Sequence, residues 1–463
     1  MKRKLIAALL VSTTVSFVQA KEIYVSPKGI GDCSKENPCE IQIGLYNAST
    51  NGEDDIIYLQ EGVYKVNNLI YAPPTDEGNL IIEGRGDVIL DGNKEGRILQ
   101  IDTFVSNDDG KNITIKNISF VNGKIEGENK KGAGLFIKTK YANITIEDCK
   151  FEGNIATIDA DGGGLYIQTN TGNISIINST FKKNTSQDYG GGFDVNSLEG
   201  TIKVSHCIVE ENEGGYGGGG SIETSIGRVE IINNIIVKNK SDAAGGGRGG
   251  GILLTLKAGK GFIVNNTFVE NTSSAYGGGF HIKAFDNNGK AYIYNNIIYN
   301  NSAEKFGKDA YIETEIGNSK YEPTIKLENN NFENFFVENL TKIKEEGKFD
   351  ERFNISADPM FVGYYHLDKN SPLIDRGVIK EDIPLPERDI DLEPRISRKT
   401  VDIGADEVFF PTGNNSNSQN NTSMETSGEG GGGCSLSSSA SSINALLYLA
   451  LPFLLLVRRF LRG

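Results

Sequence analysis

Residues 143–169 read NITIEDCKFEGNIATIDADGGGLYIQT, and residues 173–197 read NISIINSTFKKNTSQDYGGGFDVNS. Each stretch opens on an alternating strand, breaks at a polar pair, and reaches a glycine block with a second alternating strand behind it. The pattern recurs between residues 56 and 332. NITIKNISF (112–120), TIKVSHCIV (201–209), RVEIINNII (228–236) and AYIYNNIIY (291–299) repeat the first element; GAGLFIKT, GGGGSIET, GGGILLTL and GGGFHIKA repeat the second. The last glycines of the blocks, Gly134, Gly164, Gly192, Gly220, Gly251 and Gly279, are 30, 28, 28, 31 and 28 residues apart, a period near 29.

Two-residue alternation inside such a repeat indicates strands, not helices. Ile144 and Ile146 point one way, Thr145 and Glu147 the other, and Ile174/Ile176 and Ile202/Val204 follow suit. No single repeat can bury that face alone. Stacked in register, equivalent residues fill a continuous core, and each repeat becomes one coil of a parallel β-solenoid. The doublets Asn233-Asn234, Asn265-Asn266 and Asn295-Asn296 share a turn position with Asp148-Cys149, Asn178-Ser179 and His206-Cys207. Their amides are expected to hydrogen-bond along the axis. Cys149 and Cys207 fall two repeats apart, near 10 Å at about 4.8 Å per coil, beyond disulfide reach, and read as small buried residues. About ten coils would give a rod of roughly 45–50 Å.

The chain has 463 residues, 56 of them Gly, no Trp and 3 His, with a formal charge of -14. Setting aside Lys2, Arg3 and Lys4 at one end and Arg458, Arg459 and Arg462 at the other leaves -20 for the body between. So acidic a body repels nucleic-acid phosphates and excludes a general DNA or RNA binder. Residues 1–20 have the layout of a secretory signal peptide cleaved after Ala20. Residues 21–55 read as an N-terminal cap with a small-loop disulfide between Cys33 and Cys39, 56–335 as the solenoid, and 336–410 as a C-terminal cap. Within the latter stretches, 318–357 remain unassigned. Residues 411–433 form a polar, glycine-rich tether. Residues 434–463 hold Cys434, the apolar run Ile443–Val457 and an arginine cluster, which would hold the chain at a membrane.

Several of these strings resemble known families. The C-terminal order of Cys motif, apolar helix and arginines is similar to bacterial surface-protein sorting signals, which implies removal by a sorting protease and lipid attachment at Cys434; a plain tail anchor is the alternative. Phe151-x-x-Asn154 before Gly162-Gly163-Gly164, Phe181-x-x-Asn184 before Gly190-Gly191-Gly192 and Phe268-x-x-Asn271 before Gly277-Gly278-Gly279 resemble the FxxN and GGA[ILV] repeats of polymorphic outer-membrane-protein adhesins. The blocks here read GGG, and no autotransporter barrel follows. DDIIYLQEGVYKV (54–66) and NLIIEGRGDVILDGN (79–93) resemble the first coils of pectate-lyase-like β-helices. DPMFVGYYHLDKNSPLIDRG (358–377), RDIDLEPRI (388–396) and VDIGADE (401–407) resemble the end module of choice-of-anchor Q proteins. These resemblances imply an all-β, single-stranded, right-handed parallel β-helix, exported to a bacterial cell surface or outer membrane. Pro372, Pro384, Pro386 and Pro394 are expected to cap an open edge; a cation site built from Asp375, Asp389, Asp391, Asp402, Asp406 and Glu407 is the alternative.

Candidate chemistry lies on the strand after each glycine block, at outward positions two and four. These give two axial columns, one through Phe136, Tyr166, Asp194, Ser221, Leu253, His281 and Tyr311, the other through Lys138, Gln168, Asn196, Glu223, Thr255, Lys283 and Glu313. Polar groups at coil spacing on a flat face suit an extended sugar chain, with Tyr166, Gln168, Asp194, Asn196, Glu223, His281 and Lys283 as binding candidates. Tyr189, Tyr216 and Tyr276 precede glycine blocks and offer a stacking edge. The plainer reading is a solvated face, with His281 a surface residue. For catalysis, Asp194 and Glu223 form a candidate acid/base pair. Asp159, Asp161 and Asp188 with Ca²⁺, and Lys283 or Arg248 as base, would instead suit a lyase. No lyase or polygalacturonase signature accompanies either set, and GGGRGGG around Arg248 lacks the Lys-Ser/Thr of a phosphate loop. The expectation is therefore a surface-anchored adhesin or glycan-binding protein whose partners are extracellular polysaccharide or another cell surface. A polysaccharide lyase or glycoside hydrolase, and a structural spacer, remain as alternatives.

Overall fold

The computed structural model describes residues 20–74, 78–105, 109–128, 130–285, 288–314, 323–345 and 347–410. Residues 1–19 of the expected signal peptide, the expected tether and the Cys434 segment lie outside these residues. Among the described residues the strands form three axial sheets of nineteen, seven and ten strands, plus a two-stranded hairpin. Strands in the axial sheets pair in parallel, each with its equivalent one coil on, as in Ile144↔Ile174 and Ile174↔Ile202. The ten-strand sheet takes one strand from each turn, so the fold is a parallel β-solenoid of about ten turns.

Alternation sets what fills it. Ile144, Ile146, Ile174, Ile176 and Ile202 are buried in one core that runs the length of the stack. Phe120 and the phenylalanines of the next two FxxN elements stack ring on ring, 5.0 Å from Phe120 to Phe151 and 4.9 Å on to Phe181. Cys149 and Cys207 are buried free thiols, while Cys33 and Cys39 form a disulfide.

Two corners carry amide ladders. At the doublets, the first residue adopts the left-handed conformation that Asn and Asp tolerate, with φ 59° at Asn233 and 53° at Asn265. The second turns its amide inward: Asn234 Nδ2 donates to Asn266 Oδ1 (2.9 Å), Asn266 to Asn296 (3.0 Å) and Asn296 to Asn330 (2.9 Å). A second ladder, which the doublets do not reveal, runs through the asparagines at the FxxN position of each coil, Asn154 to Asn184, Asn212, Asn239, Asn271 and Asn301, at 2.9–3.0 Å per step. Each Oδ1 also accepts the backbone N–H one coil back, as Asn239 does from Asn212.

The glycine blocks close the corner before the ten-strand sheet. Gly190 takes φ 64°, and a Cβ on Gly191 would meet the Glu213 and Gly218 carbonyl oxygens at 2.4 Å. One equivalence differs from the spacing count. Gly220 pairs with Phe193 rather than with Gly192, so it is a strand residue, and the Phe193 ring fills the space that its Cβ would need.

The ends differ from the expected boundaries. Lys21–Val25 already pairs with Asp55–Leu59 inside the stretch assigned to the N-terminal cap, and helix Ile41–Ala48 packs Ile41, Leu45 and Ala48 onto the first coils. At the other end pairing continues through Phe349–Arg352, and the unassigned run contains helix Leu340–Glu345, with Ile343 buried in the core. Residues 358–407 do not lie where an edge cap would. Their contacts run back along the asparagine corner: Asn295 Nδ2 donates to Val378 O, Asn265 Nδ2 to Asp402 O and Gly404 O, and Tyr364 OH to Glu210 Oε2. The buried Arg395 guanidinium pins this strap, donating to Asn233 Oδ1 and to the Ala405 and Gly404 carbonyls. Asp389, Asp402 and Glu407 accept backbone N–H groups, and Asp375 pairs with Arg398, so the six acidic residues do not form one cation site.

Because Asn239 is wholly buried and serves four ladder hydrogen bonds, Asn239→Ala is predicted to cost about 3 kcal/mol in chemical denaturation. Asn173→Ala, on an exposed ladder where water can substitute, should cost less than about 1 kcal/mol.

Candidate ligand-binding groove

The two outward columns keep the register that the repeat predicts. Tyr166 pairs with Asp194, Asp194 with Ser221, Leu253 with His281 and His281 with Tyr311; alongside, Gln168 pairs with Asn196, Asn196 with Glu223 and Lys283 with Glu313. A third column runs beside them through the residue before each glycine block. Isolated parallel bridges join Lys131 to Asp161, Tyr189 to Tyr216, Tyr216 to Arg248, Arg248 to Tyr276 and Tyr276 to Phe306.

This third column changes the character of the face. Its side chains lean over position two, so Tyr166, Asp194, Ser221, Leu253 and Tyr311 are all buried and His281 is 0% exposed. The expected flat, solvated surface is instead a walled groove, and His281 is not a surface residue. Gln168, Asn196 and Glu223 stay half-buried along the far side. Over the coils from Lys131 to Thr255 the groove encloses about 430 Å³, and Tyr166, Asp194, Asn196, Glu223, Asp161 and Asp188 all line it.

One pole of the groove is acidic around a lysine. Lys131 Nζ lies 2.7 Å from an Asp161 oxygen and 4.6 Å above the Tyr166 ring. Burial opposes its charge, but Asp161 and Tyr166 more than offset this and hold its pKa above the usual lysine value. Burial raises Asp194 to about 7, with Asp161 adding repulsion; it raises Asp188 to about 6, with Asp161 and Asp159 adding repulsion. Asn196 Nδ2 donates to Asp194 Oδ2 at 3.2 Å. Tyr166 is pushed up to about 12 by burial and then by Asp194. A carboxyl that titrates near neutrality in a groove is a site for binding or proton transfer.

The candidate sets fare differently. Asp194 and Glu223 are not a coupled pair. They sit diagonally, Glu223 is bound to Lys257 at 2.5 Å, and the charges that act on Asp194 are Asp161, which raises it, and Lys131, which lowers it. Asp159 is exposed, Asp161 is ion-paired with Lys131, and the carboxylates of Asp159, Asp161 and Asp188 do not converge within 4.8 Å as a metal group would. Arg248 and Lys283 lie two or more coils away from that acidic set, so neither is placed as its base. They gather instead around Glu313, at 4.0 and 3.9 Å, where His281 Nε2 also lies 3.0 Å from Glu313 Oε2. Burial lowers His281 to about 4, so it is neutral at pH 7. Since a carboxylate only accepts, Nε2 carries the proton, and this hydrogen bond, followed by Lys283, holds Glu313 below its ordinary value. This cluster, on the same columns beyond the groove, is aromatic: Tyr276, Phe306, Tyr311 and Phe336 pack ring against ring at 4.9–6.4 Å, with Phe306 and Phe336 exposed.

Lys131 was missed by reading the strands alone. Its signal was its place immediately before GAG, equivalent to Asp161 before GGG and Tyr189 before GGG.

No family model matches the chain, and no curated protein matches it. Among solved structures, pectate lyase Pel9A is similar to it, with 16% identity and a TM-score of 0.48 over 84% of this chain and 97% of that one. A rhamnogalacturonan lyase aligns over 74% of this chain and 91% of its own, at 13% identity and a TM-score of 0.36.

A carboxyl whose pKa is raised on folding stabilises the fold below its unfolded value, and that contribution is lost as pH climbs through the folded one. Asp194→Asn is therefore predicted to leave stability near pH 4 almost unchanged and to raise it near pH 9 by on the order of 1–3 kcal/mol, measured by urea unfolding at both pH values. An equal effect at both would contradict a buried, protonated Asp194.

Proposed function

We propose that the protein binds a polysaccharide chain laid along the solenoid axis, and that it does so as an exported protein displayed on a bacterial surface through its C-terminal segment. The observation that carries this reading is the convergence of three axial columns, one residue of each per coil, into a single walled groove. A linear polymer has the matching symmetry, since it offers similar groups at regular steps. Tyr189, exposed at the wall, supplies a ring face for sugar C–H groups, and Gln168, Asn196 and Glu223 supply hydrogen bonds to hydroxyls along the open side. Anchoring and export rest on the sequence strings at the two ends, with adhesion to extracellular polysaccharide or another cell surface as the biological role.

A second reading, cleavage of the bound chain, is favoured by Asp194. A carboxyl near 7 is poised to donate a proton at physiological pH, with Asp161 or Asp188 as the second carboxylate in place of Glu223.

The full chain, tested against a panel of polysaccharides with Ca²⁺ and with EDTA, is expected to bind at least one of them. Tyr189→Ala and Asp194→Asn should each weaken that binding about tenfold, roughly 1.4 kcal/mol. Binding without new reducing ends or unsaturated products supports the adhesin; product release abolished by Asp194→Asn supports the enzyme. Binding that is indifferent to both substitutions places the ligand elsewhere.

A further inference from the structure

The strap along the asparagine corner brings together an imidazole and two carboxylates from three places distant in sequence. His366 belongs to the hairpin formed by Phe361–Val362 and His366–Leu367, Asp391 follows the turn at Asp389, and Asp406 lies near the end of the strap. His366 Nδ1 is 3.1 Å from Asp391 Oδ2 and 3.2 Å from Asp406 Oδ1, and one ligand atom from each residue lies within 4.8 Å of the other two.

An ordinary ion pair accounts for this poorly. Nδ1 carries at most one proton, yet two carboxylates face it, so even a protonated ring leaves the group with net negative charge. Among the described residues no Lys or Arg makes an ion pair with Asp391 or Asp406. The neighbouring acids have other partners: Asp389, Asp402 and Glu407 hold backbone N–H groups around the buried Arg395.

The separations also suit a metal. Bonds of about 2.0–2.2 Å from nitrogen and carboxylate ligands place adjacent ligands about 3.0 Å apart in an octahedron and about 3.4 Å apart in a tetrahedron. The two edges at Nδ1, 3.1 and 3.2 Å, fall between these. Asp406 is oriented from behind, because its Oδ2 accepts the Leu367 N–H at 2.7 Å and leaves Oδ1 for the site. Asp406 is buried, whereas the Asp391 side chain is half exposed, which gives an ion a route in and open coordination positions. Mixed imidazole and carboxylate donors select zinc, manganese or iron over calcium or magnesium, which favour all-oxygen sets.

We propose that His366, Asp391 and Asp406 form a site for a divalent transition-metal ion that clasps the hairpin to the end of the strap. The site is separate from the groove, and the proposal stands whether or not the groove binds polysaccharide.

The test is isothermal titration of the EDTA-treated, desalted full chain with ZnCl₂, MnCl₂ and CaCl₂ near neutral pH. One equivalent of Zn²⁺ or Mn²⁺ is expected to bind and to raise Tm, with Ca²⁺ much weaker. His366→Gln and Asp391→Asn should each weaken that binding by at least about tenfold. Both side chains are partly exposed, so the two variants are expected to match the wild-type Tm in EDTA. Loading the wild type with Co²⁺ gives a second readout, a visible absorption band that His366→Gln should shift or abolish. The proposal is overturned if neither Zn²⁺ nor Mn²⁺ binds stoichiometrically, or if both variants bind them as the wild type does.

Discussion

Buried amides need partners, and in this chain the next coil supplies them. Asn154, Asn184, Asn212, Asn239, Asn271 and, in the other ladder, Asn234, Asn266 and Asn296 are all within the interior, away from water. A buried amide without a hydrogen bond is costly, and its neighbours along the axis carry the same amide one strand spacing away. Each ladder step therefore fixes the axial register at its corner, and a slip by one residue would break a column of bonds together. The phenylalanine stack and the isoleucine columns add burial, but they tolerate small shifts that the amides do not.

The groove depends on that register. Lys131, Asp161, Tyr189, Tyr216, Arg248 and Tyr276 form a wall only because the glycine corners repeat at the same height in each coil. The glycines serve this by geometry: a side chain on Gly191 would collide with carbonyl oxygens of the following coil. The wall buries position two of the strand and leaves position four half open, so a face that alternation alone would make uniformly solvated becomes polar on one side and enclosed on the other. Enclosure then produces the chemistry. Asp194 and His281 shift in opposite directions for the same reason, since burial disfavours the charged form of each. The columns thus carry an acidic end around Lys131, inside the groove, and an aromatic end around Glu313, beyond it.

The chain returns along its own flank after the last coil. Arg395 and the carboxylates near it draw the strap onto the asparagine corner, where exposed edges of the turns would otherwise face water. The end of the stack is met instead by the short helix Leu340–Glu345 with its buried Ile343.

The sequence by itself determined the repeat, the parallel solenoid, the direction of each strand side chain and the column partners Tyr166, Asp194 and Ser221. Alternation and periodicity are local, and stacking of like on like leaves one register. It also placed the disulfide and the two buried thiols. It did not determine which outward residues are buried, because that depends on side chains from a different column and a neighbouring coil. His281 reads as an ordinary outward position until Tyr276 and Tyr311 pack against it, and Asp194 acquires its raised pKa only from the fold that encloses it and brings Asp161 near. The offset of Gly220 was hidden in a run of four glycines, whose register is set by the Phe193 ring one coil back. The path of the strap and the meeting of His366 with Asp391 and Asp406 were decided by tertiary structure alone, since contacts spanning 25 to 162 residues leave no spacing to read.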